Sequence, residues 1–310
     1  MSEAAERKAR SGWSRGRRLV IALPFLWLAL FFLAPFLIVA KISLSTTASA
    51  IPPYEPAFDW SDGFAGILAK LKQLSFDNYL FLLTDDLYFR AYVSGLAIAA
   101  AATALCLFVG YPIAYGVARA PSAWRPLLVM AVILPFWTSF LIRVYAWIGI
   151  LKPEGLLNQF LLWLGLIGSP LTILDTDIAV YIGIVYAYLP FAVLPIYASL
   201  EKQDASLLEA AADLGCRPAK AFWTITFPLS LPAVVAAGLL VFIPAVGEFV
   251  IPDLLGGSDT LMIGKTLWSE FFTNRDWPVA SAVAIALLVT LIVPILVYRN
   301  REQRAAERGG

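Results

Sequence analysis

An all-α membrane protein with six transmembrane helices is the architecture this chain calls for, on three grounds. Hydrophobic residues fill 60% of its 310 positions and charged ones only 15%, against roughly half and a quarter in a soluble domain. Six apolar runs reach the roughly 20 residues that a bilayer crossing needs. Lys and Arg collect between alternate runs, as the positive-inside rule asks.

The runs cover residues 19–40, 91–117, 127–150, 178–200, 229–251 and 279–298. Prolines interrupt most of them: Pro24, Pro35, Pro112, Pro135, Pro190, Pro195, Pro232 and Pro244. In water these would argue against helix. Within a bundle, neighbouring helices and polar groups satisfy the freed carbonyls, so the runs stand as spans. Residues 1–18 are then an N-terminal tail, 19–298 the membrane domain, and 299–310 a C-terminal tail.

Orientation follows from charge. Arg7, Lys8, Arg10, Arg15, Arg17 and Arg18 precede the first span. Arg119 and Arg125 follow the second, Lys202, Arg217 and Lys220 the fourth, and Arg299, Arg301, Arg304 and Arg308 the last. Those segments hold 15 of the 23 basic residues and fall on one side, assigned to the cytoplasm. The basic start, the first run and Ala48-Ser49-Ala50 also mimic a secretory signal with its cleavage site. The first run is about 22 residues, longer than a signal core of roughly 7–15, which favours a retained helix.

The opposite, external face carries the larger loops. In the first, 42–90, residues 64–74 suit a short surface helix and 76–79 begin another. The second includes an amphipathic stretch at 155–166. The third is 252–278. Acidic residues gather on this side, Asp253 among them; most suit solvated loops, and an acidic vestibule would also concentrate cations.

Several chemistries are excluded. A net charge of +1 gives no electrostatic case for nucleic acid. There is no His, and neither a Cys cluster nor paired carboxylates within the spans offer a catalytic or metal site. Cys106 and Cys216 are expected to be free thiols. Gly264-Lys265-Thr266 imitates the end of a phosphate loop, but the Gly required five residues earlier is Asp259. The chain is not expected to hydrolyse ATP.

Two ionisable residues interrupt the spans: Arg143 in the third and Glu248 in the fifth. Such residues are costly in lipid. Three readings of Glu248 compete: an ion pair with Arg143, a pathway carboxylate for a cation, or a hydrated interfacial group. Trp137, Tyr145, Trp147, Phe249 and Trp268 lie near external span ends. They suit an interfacial belt or a cation–π surface for ammonium groups.

The most specific signal is local. Glu209-Ala210-Ala211 is followed after three residues by Gly215, after nine more by Ile225, and after one more by Phe227-Pro228. Ser206 and Glu209 have the spacing of a capping box. Leu207, Leu208, Ala211 and Leu214 make an apolar helical stripe. Gly215 stands where a left-handed C-cap is wanted, and Pro218 suits the first turn of a second helix. The bland alternative is an amphipathic connector on the membrane surface.

This pattern resembles the EAA loop of ABC importer permease subunits, with Phe227 where the family usually has Leu. Leu134-Pro135-Phe136-Trp137-Thr138, Gly155-Leu156-Leu157-Asn158, the run from Pro244 to Gly257 and Asn274-Arg275-Asp276-Trp277-Pro278 are similar to the polyamine importer permeases, most like the putrescine branch. The resemblance implies a type I ABC importer permease fold in the bacterial inner membrane. Glu209, Ala210, Ala211, Gly215, Ile225 and Pro228, within a docking loop at about 201–228, would meet a cytoplasmic ATPase. It also implies a second homologous permease, two ATPase copies holding ATP and Mg, and an external binding protein. Glu248, Phe249, Asp253, Trp137, Tyr145 and Arg143 are the pathway candidates, for putrescine or another small organic solute (spermidine, an amine, an amino-acid-like molecule). A secondary transporter is the rival from another class; it should show related halves, and none are seen.

Overall fold

Residues 20–59 and 63–308 are described by a computed structural model. The expected N-terminal tail lies outside the described residues, and with it six of the basic residues behind the orientation. Helix α1, Val20–Ser43, is the first span. It widens into a π-turn at Ala29–Leu33, where the Ala34 N–H reaches Ala29 O. Pro35 follows and has no N–H to give, which is why the normal ladder skips a residue there.

Beyond α1 come strands β1, Thr46–Thr47, and β2, Tyr54–Glu55, paired antiparallel. This two-residue ribbon is a small addition to the expected all-helical architecture. Helices α2, Gly63–Leu71, and α3, Asp77–Thr84, fall on the two segments expected to be helical in the first loop.

Helix α4, Asp86–Arg119, is the second span. The third expected span is not one helix. Helix α5, Arg125–Ile133, passes through a 3-10 turn, Leu134–Trp137, and is followed by α6, Phe140–Leu151. The arm Arg125–Trp137 and the arm Phe140–Trp163, of which α6 is the first part, bend by 90°. Thr138 and Ser139 between them are extended (ψ 153° and 136°), and Pro135 gives the ladder no N–H. Helix α7, Leu156–Trp163, occupies the amphipathic stretch. Helix α8, Asp177–Glu201, is the fourth span and stays helical through Pro190 and Pro195.

Helices α9, Ser206–Asp213, and α10, Pro218–Ala221, form the next connection. A second π-turn, Phe222–Thr226, leads into α11, Phe227–Val246. It again precedes a proline, Pro228. The fifth span therefore ends at Val246 rather than 251. Its expected last residues belong instead to a separate short helix, α12, Val250–Leu254. Helix α13, Ile263–Trp268, a third π-turn, Ser269–Thr273, and α14, Trp277–Arg308, complete the chain. Helix α14 continues through most of the expected C-terminal tail. Among the described residues, four helices are long and apolar enough to cross a membrane, and five if the bent pair is one span. The sixth run appears as the shorter apolar stretch Trp277–Val293 of α14.

The chain divides into two compact units. One comprises the described part of residues 1–84 together with Glu270–Val289. Here the ribbon is held through Thr47 Oγ1, which donates to Asp276 Oδ1 at 2.8 Å, and Tyr54 packs 6.2 Å from the Trp277 ring. Lys41 lies over Tyr54 and Phe58 and donates to Pro56 O.

The other unit, residues 85–269 with the end of α14, contains the functional candidates. Helices α4, α8 and α11 pack on one another. Small residues at the seams let them close: Ala114, Ala118, Ala192 and Ala237 are buried among Cys106, Val193, Ile196 and Val241. Gly110 faces Ala192 so closely that an added Cβ would sit 3.1 Å from it. Close backbone approach is the usual basis of helix association in membranes.

Candidate functional site

Two candidate regions emerge within this unit. The first is the connection from α8 to α11. Its C-cap is as expected: Gly215 has φ +73°, its N–H donates to Ala212 O at 2.8 Å, and the Cys216 N–H donates to Ala211 O at 2.9 Å. These are the two bonds of a Schellman motif. The N-cap is different from the expected one. Ser206 is already helical, and the Ser206 N–H is capped by Asp204 Oδ1 at 2.9 Å. Asp204 accepts an orphan amide two residues on, the same task at an earlier position. That bond holds the Asp204 carboxyl below the usual carboxylate range.

The expected apolar stripe divides. Ala211 is buried and Leu208 half-buried, whereas Leu207 and Leu214 are exposed, Leu214 at 88%. Glu209, Ala210, Gly215 and Pro228 are also exposed, and Ile225 is half-buried. The base of the loop is anchored by rings. Phe222 lies edge-on to Tyr111 and Tyr115 at 5.8 and 5.5 Å, and Phe227 lies 5.6 Å from Tyr111. The aromatic residue at 227 thus completes a cluster against α4. Gln203 Nε2 donates to Thr226 O at 3.0 Å, closing the connection at its root.

The second region is the break between α11 and α12. Gly247, Glu248 and Phe249 separate two helices whose axes no longer share a ladder. Glu248 is 7% exposed. Its Oε1 accepts from the N–H groups of Phe249, Val250 and Ile251 at 3.1, 2.9 and 3.4 Å. Its Oε2 accepts from Tyr188 Oη at 2.5 Å. A carboxylate at a helix N-terminus satisfies orphan amides and favours the positive end of the helix. The Tyr188 bond ties that break to the middle of α8.

Glycines make the close packing at the break possible. A Cβ on Gly264 would lie 2.5 Å from Glu248 O and 2.6 Å from Gly247 O. One on Gly183 would lie 2.7 Å from Leu255 Cδ1 and 2.8 Å from Ile251 Cγ2. Helices α13 and α8 thus press on the break directly.

Glu248 and Arg143 line one cavity of about 580 Å³, with Phe136, Phe140, Tyr188, Phe191 and Phe249 as its aromatic wall. Pro244 and Gly247 on its rim are exposed. Among the described residues, neither charged residue takes part in an ion pair within 4.0 Å. The Arg143 guanidinium lies 5.1 Å from the Phe136 ring centre and 5.7 Å from that of Phe140. Its Nε and Nη1 are buried and have no hydrogen-bond partner.

Of the other pathway candidates, Phe249 shares this cavity and Trp137, Tyr145 and Asp253 lie elsewhere. Phe249 stacks on Trp268 at 4.2 Å. Trp137 is 73% exposed and lines a separate cavity with Arg125, Tyr197 and Glu201. Tyr145 is exposed on α6 and Asp253 on α12. Sequence reasoning missed Tyr188, Phe140 and Phe191. The nearest signal for Tyr188 was a hydroxyl two residues before Pro190 in an apolar run.

A family model described as binding-protein-dependent transport system inner membrane component matches residues 6–304. The chain is 42% identical over 272 residues to the spermidine/putrescine transport system permease protein PotB of Escherichia coli, covering 88% of this chain and 92% of that one. It is 39% identical over 282 residues to the Haemophilus influenzae protein of the same name, covering 91% and 92%. These names join two polyamines, so the similarity does not separate a putrescine branch from a spermidine one. Among solved structures, a chain of a bacterial ABC transporter for import of alginate superposes with a TM-score of 0.68 at 17% identity, over 97% of this chain and 99% of that one. One from the MetNI methionine ABC transporter gives 0.52 at 18%, over 71% and 95%. The fold is thus that of ABC importer permeases. The chain belongs to the family of binding-protein-dependent transport system inner membrane components, as a multi-pass transport subunit and not an enzyme.

Proposed function

We propose that the chain is one permease half of an ATP-driven polyamine importer, with putrescine as its first candidate substrate. A second homologous permease completes the pathway. Two copies of a cytoplasmic ATPase hold ATP and Mg, and an external binding protein delivers the amine. Both termini and the α9–α10 connection face the cytoplasm, by the charge distribution read from the sequence.

One observation carries the coupling role: an exposed helix, left-handed glycine turn and second helix, placed between two apolar spans and anchored by rings at its base. Exposed Leu207, Leu214 and Trp223 with Glu209 give a partner both apolar area and a charge. The identity to spermidine/putrescine permeases over about nine-tenths of the chain supports the substrate class.

For Glu248 the geometry favours a positioning role. Both its oxygens are engaged by the protein's own donors, so in this conformation it holds the helix break in place. It reaches substrate only if Tyr188 lets go. The test is to copurify the chain with its native partners and measure ATP hydrolysis with putrescine, spermidine and amino acids in turn. Stimulation by a polyamine alone supports the reading; stimulation only by another solute class refutes it.

A further inference from the structure

Two of the groups in the 580 Å³ cavity best suited to binding an ammonium, the Glu248 carboxylate and the rings beside Arg143, are engaged by the protein itself. The Glu248 carboxylate is taken up by Tyr188 and three backbone amides. The Arg143 guanidinium stands over the rings of Phe136 and Phe140, 5.1 and 5.7 Å from their centres. Those distances are within the roughly 6 Å over which a cation is attracted by a ring. Phe136 and Phe191 meet edge to face at 5.3 Å, and Tyr188 lies 6.1 Å from Phe191, so the aromatic wall is continuous.

The way Arg143 is held is informative. A structural arginine in a membrane span pairs with a carboxylate or with carbonyls. Among the described residues Arg143 has no ion-pair partner, and two of its nitrogens are buried without an acceptor. What holds it is the aromatic wall, the surface a cationic ligand would use. A guanidinium so placed is also a fixed positive charge that lowers the local concentration of cations.

We propose that Arg143 is a tethered cation that occupies the aromatic seat of the pathway and must be displaced for the amine to pass. It is a specificity-determining residue: only a ligand that replaces its ring contacts, and gives Glu248 a cationic partner, opens the cavity. This rests on the reading of the substrate as a polyamine. It differs from an Arg143–Glu248 ion pair, in which the two residues would stabilise each other.

The test uses the copurified, reconstituted complex. Arg143→Met and Arg143→Gln both remove the charge, one keeping apolar bulk and the other hydrogen-bonding capacity; Arg143→Lys keeps a cation over the rings. Two quantities are read: equilibrium binding of radiolabelled putrescine and spermidine, and ATP hydrolysis without the binding protein. For Met and Gln we expect amine affinity about tenfold tighter, in keeping with freed ring contacts, and raised basal hydrolysis; Lys should stay near wild type. Unchanged or weaker binding in a normally assembled Met or Gln complex overturns the proposal. So does failure of both to assemble while Lys assembles, since Arg143 would then be structural. If no polyamine stimulates even the wild-type complex with its binding protein present, the substrate reading itself has failed. If wild type responds and the variants do not differ from it, only the tethered cation is wrong.

Discussion

The α9–α10 loop and the Glu248 cavity differ in how far they rely on remote residues to satisfy their polar groups. In the loop, the partners are neighbours in sequence: Asp204 caps Ser206, and Ala211 and Ala212 receive the amides of Cys216 and Gly215. In the cavity local partners are not enough: Glu248 Oε1 accepts from the next three amides, but its other oxygen depends on a remote residue. Tyr188 reaches Glu248 across 60 positions, and Gly264 supports the same break from another helix. The loop can therefore keep its shape while its surroundings move, which suits a coupling element. The cavity's shape depends on how α8, α11 and α13 meet, so any shift of those helices changes it.

The contrast is broken most severely at Gly264. Gly264→Ala places a methyl group against two backbone carbonyl oxygens, at 2.5 and 2.6 Å. Neither is the end of a flexible side chain, so the break must shift, at a cost of about 1–3 kcal/mol or more. We expect a marked fall in folded protein, measured as monodisperse yield in detergent, while a glycine-to-alanine change at Gly116, where a Cβ meets nothing within 4 Å, leaves the yield intact.

Tyr188→Phe is expected to do less. It removes one donor from Glu248 but leaves the three amides in place. A hydrogen bond to a charged group is worth about 1.5–3 kcal/mol, so the Tm of the purified protein should drop by several degrees without loss of fold. An unchanged Tm would show that the bond between α8 and the break contributes little.

Asp204→Ala is the mildest. It uncaps α9 only, and faster amide exchange confined to about residues 205–209 is the expected result. The sign of the pH effect follows from the lowered carboxyl. The cap is fully present above the ordinary aspartate value of about 3.9 and is lost as pH falls through the lower folded value. Exchange in this segment should therefore not change between pH 8 and pH 5 on account of Asp204, once the intrinsic rate is corrected for.

The same contrast explains what was legible beforehand. Hydrophobic length alone placed the long helices, because lipid leaves the backbone few other options. The spacing of Glu209, Gly215 and Pro218 gave the helix, turn and helix, because those preferences act within a few residues. The cap on α9 was misplaced by two positions, since Asp204 and Ser206 are both good caps and local pattern does not rank them. The 90° bend after Trp137 was missed because a proline in a span is usually compatible with a continuous helix. The fate of Glu248 was beyond reach: an acidic residue in an apolar run signals that a partner exists, not that it is Tyr188.

The coupling account is tested most directly at Gly215, whose φ of +73° separates conformation from bulk. A Cβ there would meet nothing within 4 Å, so only backbone preference distinguishes substitutions. Asn tolerates the left-handed region and Val does not. In the copurified complex, the polyamine-stimulated ATP hydrolysis of Gly215→Asn should remain within about twofold of wild type. Gly215→Val should lose at least tenfold, together with most of the bound ATPase, while still inserting in the membrane. Equal, wild-type-like activity of the two variants would contradict the assignment of this loop as the docking element.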